Sequence, residues 1–203
     1  MQEPDNKTYW QKVSKLYAPF MKSNSGLYKD ICLRIRPYLS KDMNVLELAC
    51  GTGQLSYPLS RQVRLWEATD FSEAMIAQAK KHNRSSRLHF SVLDATSLPY
   101  APGTFDAVVI SNALHIMPCP QQALAEIRRV LKPGGLLFCP TFVHGEYTGS
   151  WIRMKLMEKT GFRTYHQWTQ SQFLKFLADH GFSVAEYRTL DSGRIPLCFV
   201  VAK

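Results

Sequence analysis

No run of apolar residues in this 203-residue chain approaches the roughly 20 needed to cross a bilayer, so a membrane span is not expected. The opening MQEPDNKTYW lacks the basic-then-apolar pattern of a secretory signal, which makes the cytoplasm the expected location. Low-complexity tracts, internal repeats and long Pro/Gly/Ser linkers are missing too. Cysteine is sparse and unpatterned: Cys32, Cys50, Cys119, Cys139 and Cys198 are odd in number, and no pair has C-x-x-C spacing. Such thiols read as small core residues, not as disulfides or a zinc site. The six histidines form no H-E-x-x-H, so no metal is expected. A compact basic block is also lacking, although the formal charge is +9. Lys80, Lys81, Arg84, Arg128, Arg129 and Lys132 are scattered, which argues for a solvated surface before a nucleic-acid footprint.

What is present is an alternation of short apolar runs and helical stretches. Met43–Leu48, Val63–Thr69, Leu88–Leu93, Phe105–Ser111 and Leu136–Val143 read as strands, and FDAVVIS is apolar enough to be buried on both faces. Helices are expected over Ser72–His82, where Ser72 caps and Lys80-Lys81 suit the last turn, and over Gln121–Leu131. The second should stop at Lys132-Pro133-Gly134-Gly135. Thr169–His180 is a further helix with capping-box spacing between Thr169 and Gln172. Phe182–Leu190 and Ile195–Val201, joined by Asp191-Ser192-Gly193, read as an antiparallel hairpin. Strands alternating with helices pair in parallel through right-handed crossovers. The expected fold is an α/β sheet, mostly parallel, with helices on both faces and an antiparallel carboxyl-terminal hairpin. Its length favours a single domain over 1–203: a helical, aromatic cap at 1–42, a core at 43–143 and an outer part at 144–203.

In such sheets ligands bind beyond the carboxyl ends of the strands, beside the first one. Gly51 and Gly53 of VLELACGTG fall there. Asp70 ends the second strand, 19 residues beyond Gly51, where a carboxylate can accept both hydroxyls of a ribose. Asp94 ends the third strand, in reach of an adenine amino group. Taken singly, each Asp reads as a helix cap or turn former, and the glycines as a tight turn. The phosphate fingerprint is incomplete: a third glycine would stand at 56, which is Ser56, and no Lys-Ser/Thr follows. Glu47 inside the motif would repel a pyrophosphate and attract a cation.

These stretches resemble the class I S-adenosylmethionine-dependent methyltransferases. VLELACGTGQLS is similar to their first motif, ATDFSEAMIAQAKK to the second, FSVLDATSLPY to the third, and GTFDAVVISNALHIM with EIRRVLKPGG to the next pair. The resemblance covers roughly residues 43 to 143 and points towards the methyltransferase-11 and quinone C-methyltransferase types. It implies a Rossmann-like seven-stranded sheet, S-adenosylmethionine as cofactor, S-adenosylhomocysteine as product and a small-molecule acceptor methylated at O, N or C. It also implies residue roles. Gly51 and Gly53 would pass under the methionine and ribose parts, with Ala49 where many members have glycine. Glu47 would support the cationic methionyl end. Asp70 would take the ribose hydroxyls, Phe71 and Met75 the adenine faces, and Asp94 with the Ala95 backbone the adenine edge. Ser111 and Asn112 would lie near the methyl group, and Tyr17 would cover the cofactor from the amino-terminal segment.

A phenolic or hydroxyl acceptor gains from a general base, and His115 in ALHIMP is the candidate, set against a purely structural role. The acceptor pocket is expected between the amino-terminal aromatics, residues 112–119 and the stretch 142–168. Three rivals remain: an RNA or other nucleic-acid methyltransferase, a non-catalytic cofactor-binding protein, and a nicotinamide dehydrogenase. Against the first, Ser111-Asn112-Ala113-Leu114 lacks the Pro-Pro-aromatic pattern of base amino-methylation; against the last stand Ser56 and Glu47. Peripheral membrane contact and oligomeric state stay open.

Overall fold

The computed structural model describes residues 6, 9–11, 25–143, 162–192 and 195–203. Tyr17, and the His144, Tyr147, Trp151 and Arg153 expected in the acceptor wall, lie outside the described residues.

The central strand β1 (Asn44–Leu48) pairs in parallel with β2 (Leu65–Asp70) on one side and β4 (Phe105–Ile110) on the other. β3 (Leu88–Val92) adds in parallel to β2, and β5 (Leu131–Phe138) to β4. β8 (Leu197–Ala202) runs antiparallel to β5, to the short β6 (Thr141–Phe142) and to β7 (Val184–Leu190). Crossovers from β1 go to opposite sides, so β1 and β4 flank the switch point where their carboxyl ends splay open.

Alternation within the strands decides which residues meet which helix. Val45, Trp66, Ala68, Ala107 and Val109 face one core, shared with Leu27, Ile31 and Ile35 of α1 (Ser25–Ile35), Leu59 of α2 (Ser56–Leu59) and Ile76 and Ala79 of α3 (Glu73–Lys80). Leu46, Leu48, Val108 and Ile110 face the other, with Ala123, Leu124 and Ile127 of α4 (Pro120–Val130) and Phe173 and Leu177 of α5 (Gln170–Asp179). Most of these side chains are fully buried, and each of the Val, Leu, Ile and Phe among them contributes about 1.5–3 kcal/mol through removal from water. Helices therefore cover both faces, as the alternation predicts.

The helix caps form as the sequence indicates. Ser72 Oγ accepts from Met75 N at 3.3 Å, and Thr169 and Gln172 make a reciprocal capping box. Two details differ from the expectation. The sheet has eight strands, not seven, because the fifth run is interrupted at Cys139-Pro140; a proline cannot donate to the ladder, and Thr141–Phe142 resumes the pairing with β8. Lys132-Pro133-Gly134-Gly135 ends the helix but belongs to β5, where it makes an irregular register opposite Phe105–Ala107 instead of a free loop.

Candidate cofactor and acceptor site

A cavity of about 270 Å³ opens at the carboxyl ends of β1, β2 and β4. Of the residues singled out from sequence, Glu47, Ala49, Gly51, Asp70, Phe71, Met75, Asp94, Ala95, Ser111 and Asn112 line it. These ten come from four separate motifs, brought together by parallel pairing alone.

The loop after β1 owes its shape to left-handed backbone. Ala49, Gly51 and Gly53 have φ of 53°, 56° and 90°. Gly53 does not line the cavity. A Cβ on it would lie 2.9 Å from the Tyr57 ring, so this glycine serves the close packing of loop on helix. Ala49 bears the strain that a glycine would avoid.

Asp70 holds that loop. Its Oδ2 accepts from Gly51 N at 2.9 Å and its Oδ1 from Ser72 N at 2.9 Å. Each carboxylate oxygen keeps a further lone pair, so both can still accept from a ligand. Burial pushes the Asp70 carboxyl up, against the two backbone donors that favour its charge. Asp94 is exposed at the mouth, its Oδ1 accepting from the Thr96 N–H and hydroxyl, both at 2.8 Å.

Glu47 is the deepest of the three acids, at 2% exposure. Its Oε2 accepts from Ser56 Oγ at 2.5 Å and from Trp66 Nε1 at 2.8 Å. Burial lifts its pKa from the usual range to about 7; the two donors act against this and the Asp70 charge adds to it. Among the described residues that line the cavity there is no Lys, Arg or His. Three carboxylates without a described basic neighbour suit a cationic nucleoside and disfavour a pyrophosphate.

At the end of β4, Asn112 adopts φ of 52°, and its amide nitrogen and oxygen are buried with no hydrogen-bond partner; Ser111 Oγ is likewise unpartnered. Buried polar atoms are seldom left so, and three of them bordering one cavity mark a place for a polar ligand.

His115 sits elsewhere. It is buried against Phe142, with ring centroids 6.3 Å apart, and is not among the residues lining the cavity. Its carbonyl accepts from Tyr165 N and His166 N, both at 3.0 Å, which ties the 162–168 segment to the turn after β4.

Trp10, Tyr28, Ile116, Met117 and Cys119, from the stretches expected to wall the acceptor, also line the cavity; Asn6 and Gln122, which join them, carry no sequence signal. Asn6 is 3% exposed; its Nδ2 donates to the Ile116 carbonyl at 3.0 Å and the Arg163 carbonyl at 2.9 Å, and its Oδ1 accepts from Arg163 N at 2.8 Å. Trp10 stands edge-on to Tyr9 and to Phe162. Such long-range partners have no spacing rule; only the concentration of aromatics near the amino terminus hinted at them.

The family described as "Methyltransferase domain" matches residues 46–139. The demethylmenaquinone methyltransferase of Renibacterium salmoninarum is 33% identical over 172 residues, spanning 75% of this chain and 72% of that one. That of Leptospira interrogans is 35% identical over 156 residues, 71% of this chain and 62% of the relative. Among solved structures, the Haloferax volcanii complex between the Trm112 methyltransferase activator and a methyltransferase matches with a TM-score of 0.81. The identity there is 18% over 95% of this chain and 96% of that one, which speaks for the fold alone. With these likenesses added to the motif order, the sheet and the acid-lined cavity, the chain belongs to the class I S-adenosylmethionine-dependent methyltransferases.

Proposed function

We propose that the cavity is the methyl-transfer site, and that its deep, acidic part takes the cofactor while the end walled by Asn6, Trp10 and Ile116–Cys119 takes a small acceptor. The observation that carries this reading is the lining: three carboxylates, no Lys, Arg or His among the described residues, and the buried unpartnered amide and hydroxyl groups of Asn112 and Ser111. The Asp70 oxygens accept from the ribose hydroxyls, Phe71 and Met75 flank the adenine, and Asp94 with the Ala95 backbone meets its edge. Glu47 faces the methionyl ammonium. Gly51 and Ala49 leave room for close backbone approach, and Gly53 shapes the turn.

S-adenosylmethionine supplies an electrophilic methyl group on a sulfonium. The protein's part is to exclude water, to orient the acceptor in line, and to favour the charged ligand until reaction; positioning alone can lower such a barrier by several kcal/mol, about 7 in good cases. Asn112 and Ser111 lie where an acceptor's polar atom would be oriented. His115 has no place in this reading as a base touching the acceptor, because it is off the cavity lining.

The names of the bacterial relatives, demethylmenaquinone methyltransferases and a ubiquinone/menaquinone biosynthesis C-methyltransferase, support an apolar, planar acceptor of the quinol type, methylated at carbon. Trp10, Ile116 and Met117 offer apolar walls for it. On this reading residues 1–203 act as one cytoplasmic domain, and a lipid-soluble acceptor draws its net charge of +9 to a membrane surface. Among the described residues no helix is long and apolar enough to cross a membrane.

The test is methyl transfer from S-adenosylmethionine, followed by mass spectrometry, to demethylated quinols, simple phenols, amines and RNA. A product on a quinol or phenol supports the reading. Transfer to RNA alone overturns the small-molecule acceptor. Transfer to nothing, with tight cofactor binding, points to the non-catalytic alternative.

A further inference from the structure

Two donors to the deepest acid of this site come from Ser56, at the end of the glycine-loop motif, and from Trp66, outside the motifs. Ser56 stands where a dinucleotide loop would carry its third glycine, and Trp66 is an indole inside the buried strand β2. Both donate to the same oxygen, Oε2 of Glu47, while no hydrogen bond reaches Oε1 among the described residues. The carboxylate borders the cavity, so its remaining acceptor capacity is directed to whatever the cavity holds. A buried Trp needs an acceptor and a buried Glu needs donors; here each satisfies the other next to the ligand space.

We infer that Trp66 and Ser56 are positioning residues for cofactor uptake: they fix the Glu47 carboxylate, as an anion, against the ammonium group of the cofactor's methionyl end. This rests on the reading of the cavity given above. The other titratable groups near Glu47 are Asp70 on β2, whose carboxyl burial pushes up, and the Cys32 thiol on α1, which burial pushes up to about 12 with Arg36 acting against it. Cys50 in the loop lies well above its ordinary value. Glu47 itself, at about 7, is protonated in mild acid. Uptake of a ligand bearing the ammonium then weakens as pH falls through that value. A ligand with the same adenine and ribose but no ammonium keeps its affinity, because it needs Asp70 and Asp94 and not Glu47.

Calorimetric titration of the whole chain with S-adenosylhomocysteine and with 5′-methylthioadenosine tests this between pH 6 and pH 8. S-adenosylhomocysteine is expected to bind about tenfold more weakly at pH 6 than at pH 8, as one proton must be lost from a group with a pKa near 7. Methylthioadenosine should change less than about twofold over the same range. In Trp66→Phe, and more mildly in Ser56→Ala, the midpoint for S-adenosylhomocysteine should rise by about one pH unit, because each donor favours the ionised carboxylate. A lower melting temperature with an unmoved midpoint would make both residues merely structural and overturn the inference. Equal pH dependence for the two ligands would also overturn it, while leaving the cofactor site intact. If neither ligand binds at any pH, the reading of the cavity falls, and the inference with it.

Discussion

Glu47 and Glu126 are the same residue type in opposite circumstances. Glu126 lies on α4, where the Arg129 guanidinium donates to both of its oxygens at 2.7 Å and holds its carboxyl down at about 2. The same arginine also donates to the Leu98 and Tyr100 carbonyls, so the pair fastens the loop after β3 to α4. Glu47 has two neutral donors and no cation, and burial lifts it to about 7. The contrast extends across the molecule. Asp106 pairs with Lys132, Glu67 with His89 and Asp179 with Lys175, whereas no ion pair involves Glu47, Asp70 or Asp94 among the described residues. The three carboxylates lining the cavity have no cationic partner among the described residues. Unpaired buried charge costs stability, and its persistence at a cavity is a mark of function.

The sharpest way to break this contrast is Asp70→Asn. An amide can accept from only one of Gly51 N and Ser72 N and sets its NH₂ against the other, so the loop loses a tie and the ribose an anion. S-adenosylhomocysteine affinity should fall by about 100-fold, or about 2.7 kcal/mol, as measured by calorimetry.

Glu47→Gln follows, with effects of opposite sign on binding and stability. A carboxyl whose folded pKa is raised binds more protons folded than unfolded between about 4.5 and 7. Its contribution is therefore present below pH 4.5 and lost as pH rises to 7. At pH 8 the unliganded variant should be more stable than the parent by up to about 3 kcal/mol in denaturant unfolding, with little difference at pH 4.5. Its S-adenosylhomocysteine affinity should drop by about tenfold.

Glu126→Gln should behave the other way. A lowered carboxyl contributes stability above its unfolded pKa of about 4.5 and loses it as pH falls towards 2. The pair is partly exposed, so the loss at pH 7 should be about 1 kcal/mol, with cofactor affinity unchanged. The smallest effect is expected for Ala49→Gly. Relief of φ at 53° should raise stability by about 0.5 kcal/mol net of the added freedom of the unfolded chain, read as a slightly higher melting temperature.

Much of this arrangement could be read from local sequence. β1 through β4 announced themselves as apolar runs, Ser72 and Thr169 as caps, and the Gly51 loop with Asp70 and Asp94 as strand ends that meet at one cavity. Their convergence was legible because parallel pairing turns regular spacing into proximity. What it missed depends on contacts without spacing rules. Asn6 reaches Arg163 across the chain, and Trp66 donates to Glu47 from a neighbouring strand. Spacing and pattern also made His115 a candidate base, since its motif position lies just past β4, whereas the turn Leu114–Ile116 buries its ring against Phe142. Lys132-Pro133-Gly134-Gly135 looked like a loop because its residues break helices; they do so here while entering a strand.

A cavity with three acids, and no base among its described lining residues, is expected to take a cationic nucleoside. Titrating the whole chain at pH 8 with S-adenosylmethionine and, separately, with NAD tests it most directly. The account predicts saturable one-to-one binding of S-adenosylmethionine and no measurable heat from NAD; tight binding of NAD with no response to S-adenosylmethionine would contradict it.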